Sequence, residues 1–414
     1  MRIVYADNNA TTRVAPEVFE AMIPYFTDEY FNPSSMYEPA RRTADAVADA
    51  RKTVARSLGA ADPKEILFTS CATESNNAAI FGATRANPNR RHVITTAVEH
   101  PAVLGVCKDL ERGGWEVTFL PVDGQGNLDV GGFVRALRPD TLLVTIMHAN
   151  NETGVIFPVE ELARIAKETD PAIVFHTDAT QTVGKLPIDL GRAFRHVDLL
   201  SFSGHKLHAP KGIGALYVRR GTPWRPLLIG GHQEEGRRAG TENVAYIVAL
   251  AEAVELAAAH RDEDEARIAG LRDRLEATLQ RQVPCVQVNG KGAPRLANTL
   301  NLSCHYVEGE GMLYQLSAEG ICASSGSACT SGSLEPSHVL LALQVPFTAV
   351  HGSIRFSLSR YNTDDDVDRI LEVFPRIVAN LRKLSPYWDN KTNAPRPGAD
   401  RLLTESRADA LKAR

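Results

Sequence analysis

No two cysteines in this chain are spaced as C-x-x-C: the six, Cys71, Cys107, Cys285, Cys304, Cys322 and Cys329, are scattered along 414 residues. Neither a disulfide framework nor a structural zinc site is signalled, and no metal is expected. An excess of one charge is missing too, since 46 basic and 50 acidic residues leave a formal charge of -4. There is no basic field to attract nucleic acid or an anionic membrane. Long apolar runs are absent as well. The most apolar helical stretch, Val244 to His260, is interrupted by Glu252 and Glu255, which suits a packed amphipathic helix and not a membrane span. The opening MRIVYADNNATT holds no apolar block of the signal-peptide kind, and no internal repeat of roughly 20–50 residues is visible. These absences leave small-molecule chemistry in the cytoplasm as the expectation.

What is present is ordinary globular material, 43% hydrophobic and 23% charged, enough for one large and one small domain. Seven short β-rich runs alternate with helical patterns: EILFTS, HVITT, WEVTFLPV, LLVTIM, AIVFHTD, DLLSFS and IGALYV. That alternation predicts an α/β domain over residues 15–255, with a mainly parallel sheet covered by helices on both faces. Beyond the helical patterns of residues 242–281 the texture changes to VQVNG, NTLNLS and SIRFSLS. A smaller α+β domain is expected there, formed by residues 1–14 and 256–384, followed by a polar, loosely held tail over 385–414.

In parallel sheets of this kind ligands sit beyond the carboxyl ends of the strands, so residues just after the runs carry the functional argument. Lys206, in SFSGHKLHAPKG, follows one such run; a desolvated amine there could form an imine with an aldehyde cofactor, or be a plain exposed turn lysine. Asp178 ends another run and could keep a pyridine nitrogen protonated, with Gln181 donating to a phenolate oxygen; the alternative is a helix cap. TSCATESNN sets Ala72 and Thr73 where a helix starts, either as a phosphate cradle or as an ordinary capping box ending in Glu74. His100, ahead of a helix opened by Pro101, could stack on a cofactor ring and exchange protons, or be a surface histidine. Asn151 in HANNETG and Arg355 in GSIRFSLSR could hold a substrate carboxylate, the arginine by its two-pronged geometry, or be structural hydrogen-bonders. Cys329 lies in ASSGSACTSGSLEPSH, too small and polar a stretch to make a core, and so reads as an accessible nucleophile. Cys107, Cys285 and Cys322 read as buried, Cys304 has no clear place, and Cys71 sits within the candidate phosphate loop.

Taken together, YADNNATTRV, TSCATESNN, HANNETGVIFP, HTDATQTVGK, SGHKLHAPKG, GGHQEEGRRAGTEN, SSGSACTSGSLEPSH and HGSIRFSLSRY resemble the cysteine desulfurases, in particular the branch associated with nitrogen fixation. The likeness spans about residues 3–388. It implies the aspartate-aminotransferase-like fold of pyridoxal-phosphate enzymes and a homodimer with its site at the subunit boundary. It further implies Lys206 as the Schiff-base lysine, Asp178 and Gln181 as partners of the ring, and His100 as the stacked acid/base. By the same resemblance Ala72, Thr73, Ser203 and His205 hold the phosphate, joined by Thr241 from the neighbouring subunit. Asn151 and Arg355 bind the carboxylate of L-cysteine, and Cys329 accepts its sulfur as a persulfide. An iron–sulfur scaffold feeding nitrogenase is the implied acceptor. Cys71 departs from the glycine common in relatives. A selenocysteine lyase, a general housekeeping desulfurase, an aminotransferase of the same fold and a scaffold without turnover are the alternatives.

Overall fold

The computed structural model describes residues 2–325 and 336–399. A short strand β1 (Val4–Tyr5) and helices α1 (Pro16–Met22), α2 (Pro24–Thr27) and α3 (Glu38–Leu58) come first. A seven-stranded sheet follows, made of β2 (Ile66–Thr69), β3 (His92–Thr96), β4 (Glu116–Leu120), β5 (Thr141–Thr145), β6 (Val174–Asp178), β7 (Leu199–Ser203) and β8 (Gly214–Val218). Each of the seven β-rich runs supplies one of these strands. Helices α4 (Ala72–Ala86), α5 (Pro101–Arg112), α6 (Val130–Ala136) and α7 (Val159–Thr169) lie between them in the chain. The spatial order is β2-β8-β7-β6-β5-β3-β4, and β8 alone runs antiparallel to its neighbours β2 and β7.

Both faces of this sheet are covered, which is why its strands read as nearly continuous apolar runs. Ile66, Phe68, Val144, Phe175, Leu200 and Phe202 point into one core, packed with residues of α3 and α7. The alternate residues Leu67, Leu143, Val174, Leu199 and Leu216 pack on the opposite face against Ala79 and Ile80 of α4 and Val103 and Leu110 of α5. Period-two alternation thus feeds two cores from a single layer.

Helix α8 (Val244–Gln282) ties the molecule together in one span of 39 residues. Its first turns bury Ile247, Leu250 and Val254 against the large sheet, and its last turns bury Leu271, Leu275 and Leu279 in a separate core. That second core is built on β9 (Val286–Val288) and β10 (Thr299–Cys304), with α9 (Gly309–Ala318), β11 (Ile321–Cys322), β12 (Ser353–Ser357) and α12 (Asp364–Leu384) around them, while the short helices α10 (His338–Ala342) and α11 (Phe347–Val350) bury their apolar residues in the core of the large sheet. The strands order as β12-β10-β9, antiparallel throughout, and β11 pairs in parallel with β1. Within the stretch expected to be loosely held, Trp388 is buried and the Arg382 guanidinium lies 4.2 Å from its ring centroid. Strands β13 (Trp388–Asp389) and β14 (Ala394–Pro395) form a hairpin there, so this part of the tail is docked by an aromatic anchor that composition did not reveal. Among the described residues no helix is long and apolar enough to cross a membrane.

Candidate active site

Asp178 is the last residue of β6 and is buried. Its Oδ1 accepts the Thr180 backbone N–H at 2.9 Å, the local bond a cap would make, but its Oδ2 accepts the side-chain amide of Asn76 at 2.6 Å. Asn76 belongs to α4 and is fully buried, and its own Oδ1 has no partner among the described residues. Neighbouring β7 pairs in parallel with β6, Asp178 lying opposite Ser201. After buried Ser203 the chain enters a tight 3-10 turn, Gly204–Lys206. A Cβ on Gly204 would stand 2.9 Å from both Ala209 Cβ and Ile213 Cγ2, so only glycine lets the turn sit this close to the core.

That turn delivers Lys206, half-buried, with Nζ donating to the carbonyls of Asn9 at 2.7 Å and Ala10 at 2.6 Å. The bland reading, an exposed turn lysine, is thereby excluded. Gln181 joins the same point: its Nε2 donates to Asn9 O at 3.1 Å, and its Oε1 accepts from Lys185 Nζ at 3.1 Å. His205, next to the lysine, contacts Thr11 Oγ1 through Nδ1 at 3.1 Å. Burial first, then the charges of Lys206 and Lys211, push its imidazole down to about 4, so it is neutral at physiological pH.

Helix α4 packs across β6, β7 and β8 and starts at Ala72 without a side-chain cap; Cys71 occupies the cap position. The capping-box alternative is met only in half: Glu74 reaches back to the Ser70 N–H at 2.7 Å and pairs with Arg238 at 2.8 Å, but no side chain returns a bond from the cap position. Ala72 is buried and Thr73 is exposed at this helix start. Their backbone N–H groups remain for an anion, to which the helix dipole adds. Gly214 makes the approach feasible: a Cβ there would lie 2.9 Å from the Cys71 carbonyl carbon and 2.6 Å from Phe202 O.

His100 caps α5, its Nδ1 accepting the Ala102 N–H at 3.1 Å. That bond fixes which ring nitrogen carries the proton in the neutral form. Burial, with the Lys206 and His338 charges, keeps the imidazole below its ordinary value against the opposing pull of Asp178. Arg355, in β12, is fully buried and its two prongs are already engaged: Nη2 pairs with Asp7 Oδ1 at 2.8 Å and Nη1 donates to Asn151 O at 2.9 Å. Asn151 thus meets Arg355 through its backbone. Thr241 is exposed in the loop before α8 and joins none of these hydrogen bonds.

Cys329 lies outside the described residues. Of the other thiols, Cys107 and Cys304 are buried, and burial pushes both up to about 12. Cys285, expected to be buried, is instead exposed at a backbone φ of 48°, because the turn after α8 carries it out to solvent. Sequence reasoning missed Asn76 behind Asp178, the Asn9 and Ala10 carbonyls around Lys206, Asp7 on Arg355, and Lys185. A weak signal existed for some of them: Asp7, Asn8 and Asn9 form a dense polar run directly after a strand, and buried polar clusters need internal partners.

The carboxylate of Asp178 ending β6, the amine of Lys206 three residues past the adjacent parallel strand β7, and the uncapped start of α4 are thus carried on elements packed together. The Aminotransferase class-V family model matches residues 4–370, and the chain belongs to that family. Within the family, a cysteine desulfurase of Trichormus azollae is 57% identical over 391 residues, spanning 94% of this chain and 96% of that protein. The cysteine desulfurase NifS of Azotobacter vinelandii is 52% identical over 398 residues, spanning 96% of this chain and 98% of its own. A solved NifS-like protein superposes with a TM-score of 0.86 at 39% identity, covering 92% of this chain and 100% of the other.

Proposed function

We propose that the chain is a cysteine desulfurase that converts L-cysteine to L-alanine and retains the sulfur as a persulfide on Cys329. The observation that carries this reading is the placement of Lys206 and Asp178 at the ends of adjacent parallel strands, beside the uncapped start of α4. Those residues fit pyridoxal 5'-phosphate. The N–H groups of Ala72 and Thr73, with Ser203 and His205, suit its phosphate; Asp178 suits its ring nitrogen and Gln181 its phenolate oxygen, and His100 would stack on the ring. Once bound, the cofactor supplies an aldehyde and an electron-withdrawing ring that acidifies the substrate's α-carbon.

The chain's own residues do the rest. Lys206 would be the residue that holds the cofactor's aldehyde, and its Nζ, once free, would take the substrate's α-proton and later return it. Arg355, steadied by Asp7, and Asn151 orient the substrate carboxylate. The Cys329 thiolate attacks the substrate sulfur: an S–S bond forms, the C–S bond breaks, and the electron pair left on carbon takes up a proton to give alanine. His100, neutral and fixed by its cap bond, is placed to move protons at the substrate. Exposed Thr241 fits a role across the boundary of a homodimer, where it would meet the partner's phosphate.

The relatives' names speak for this reading over a selenocysteine lyase. A cytoplasmic homodimer that hands sulfur to an iron–sulfur scaffold serving nitrogenase completes the proposal, supported by the NifS relative. The test is mass spectrometry of the protein after incubation with L-cysteine and pyridoxal phosphate. One added sulfur on the peptide containing Cys329 is expected, lost in Cys329→Ser; loss in Cys71→Ser instead would assign the chemistry to the wrong thiol.

A further inference from the structure

Lys185 is a second amine beside Lys206 for which the mechanism above has no use. It follows Gly184, whose backbone φ of 79° and 2.9 Å clearance from Ala257 Cβ exclude a side chain at that turn. The half-buried ammonium lines the same cleft as Lys206 and reaches Gln181 Oε1 at 3.1 Å. Among the described residues no carboxylate pairs with it. Burial first, and then the charges of Lys206 and Arg355, push it down to about 7, so it holds its proton only partly at neutral pH. His208 also faces it, and across the cleft stand Arg261, Asp264 and Glu265 of α8 and Arg360 after β12.

The geometry fixes the Gln181 amide without ambiguity. The Asn9 carbonyl can only accept, so it faces the amide nitrogen, and that leaves the amide oxygen to accept from Lys185 Nζ, which carries N–H donors in either protonation state. Asn9 O is also the carbonyl that takes Lys206 Nζ. The donor edge of Gln181 is therefore turned toward the reactive lysine, and Lys185 stands at the other end of the amide.

We propose that Lys185 is a positioning residue that locks Gln181 with its N–H edge toward the cofactor's phenolate oxygen. This rests on the reading of Gln181 given above. Without Lys185 only the Asn9 carbonyl holds the amide and the amide oxygen loses its partner, so the N–H edge is less firmly aimed and the affinity of the lysine-bound cofactor for a proton rises.

The test is the visible absorbance of the holoenzyme, titrated with pH, in Lys185→Met, Lys185→Arg, Gln181→Leu and the double variant Lys185→Met/Gln181→Leu. Gln181→Leu is expected to raise the midpoint by about one pH unit, the worth of one hydrogen bond to a charged group. Lys185→Met should raise it by a comparable amount, Lys185→Arg should restore it, and Lys185→Met should add nothing once Gln181 is leucine. Additive shifts in the double variant would overturn the proposal, since a charge acting through space does not need the amide. So would an unmoved midpoint in Lys185→Met while Gln181→Leu moves. Should Gln181→Leu itself leave the midpoint in place, the assignment of Gln181 fails and the inference with it. If Lys185→Met does not fold, Lys185→Gln takes its place in the same cycle.

Discussion

Helices α4 and α12 both open with acidic residues in the first turn, yet they finish their N-termini in opposite ways. Helix α12 closes itself: Thr363 and Asp366 form a reciprocal capping box, each side chain taking the other's backbone N–H. Helix α4 has Cys71 at the cap position, and Glu74 turns away to Ser70 and Arg238. The α12 end is complete in itself, whereas no side chain caps the start of α4. What sets the start of α4 apart, among the described residues, is hydrogen bonding left unfinished beside another unfinished group, Asn76 Oδ1 next to Asp178.

The largest effect should come from the residues gathered around the open end. Lys206→Ala is expected to cut alanine formation by about 1,000-fold or more, measured by alanine release; substantial turnover would remove the open end's purpose. Asp178→Ala should lower the rate by about 100-fold, since the ring loses its charge partner. Closing the end artificially sharpens the contrast further. Cys71→Asp supplies a carboxylate cap, so the cofactor-free protein should gain about 1 kcal/mol in denaturant unfolding while pyridoxal phosphate binds about tenfold more weakly. The smallest effect is expected at the closed end. Thr363→Ala should cost about 1 kcal/mol of stability and leave cofactor affinity unchanged, because that cap serves only its own helix.

Strand positions were legible because apolar period-two runs buried on both faces admit few other readings, and the places of Asp178 and Lys206 came with them, the first ending such a run and the second lying in the turn after one. The start of α4 was not legible. Threonine, serine and glutamate in TSCATESNN fit a capping box as well as a cradle, and only the approach of Arg238 from the loop before α8 decides which way Glu74 turns. The surroundings of Lys206 were hidden for a different reason: Asn9 and Ala10 act through backbone carbonyls, which carry no residue signature and lie 197 and 196 positions earlier in the chain. Arg355 was read as a two-pronged holder of a substrate carboxylate or a structural hydrogen-bonder, and its engagement by Asp7 and the Asn151 carbonyl was not foreseen, since that depends on β12 packing beside the opening segment. Cys285 went wrong because its apolar neighbours suggested burial while a left-handed turn exposes it.

Two amines, Lys206 and Lys185, line one cleft, and only the first is assigned the aldehyde. The most direct measurement is therefore borohydride reduction of the holoenzyme with pyridoxal phosphate, followed by peptide mapping of the label. Label confined to Lys206 is the expected result; label on Lys185, or none at all, would contradict the assignment on which the proposed chemistry stands.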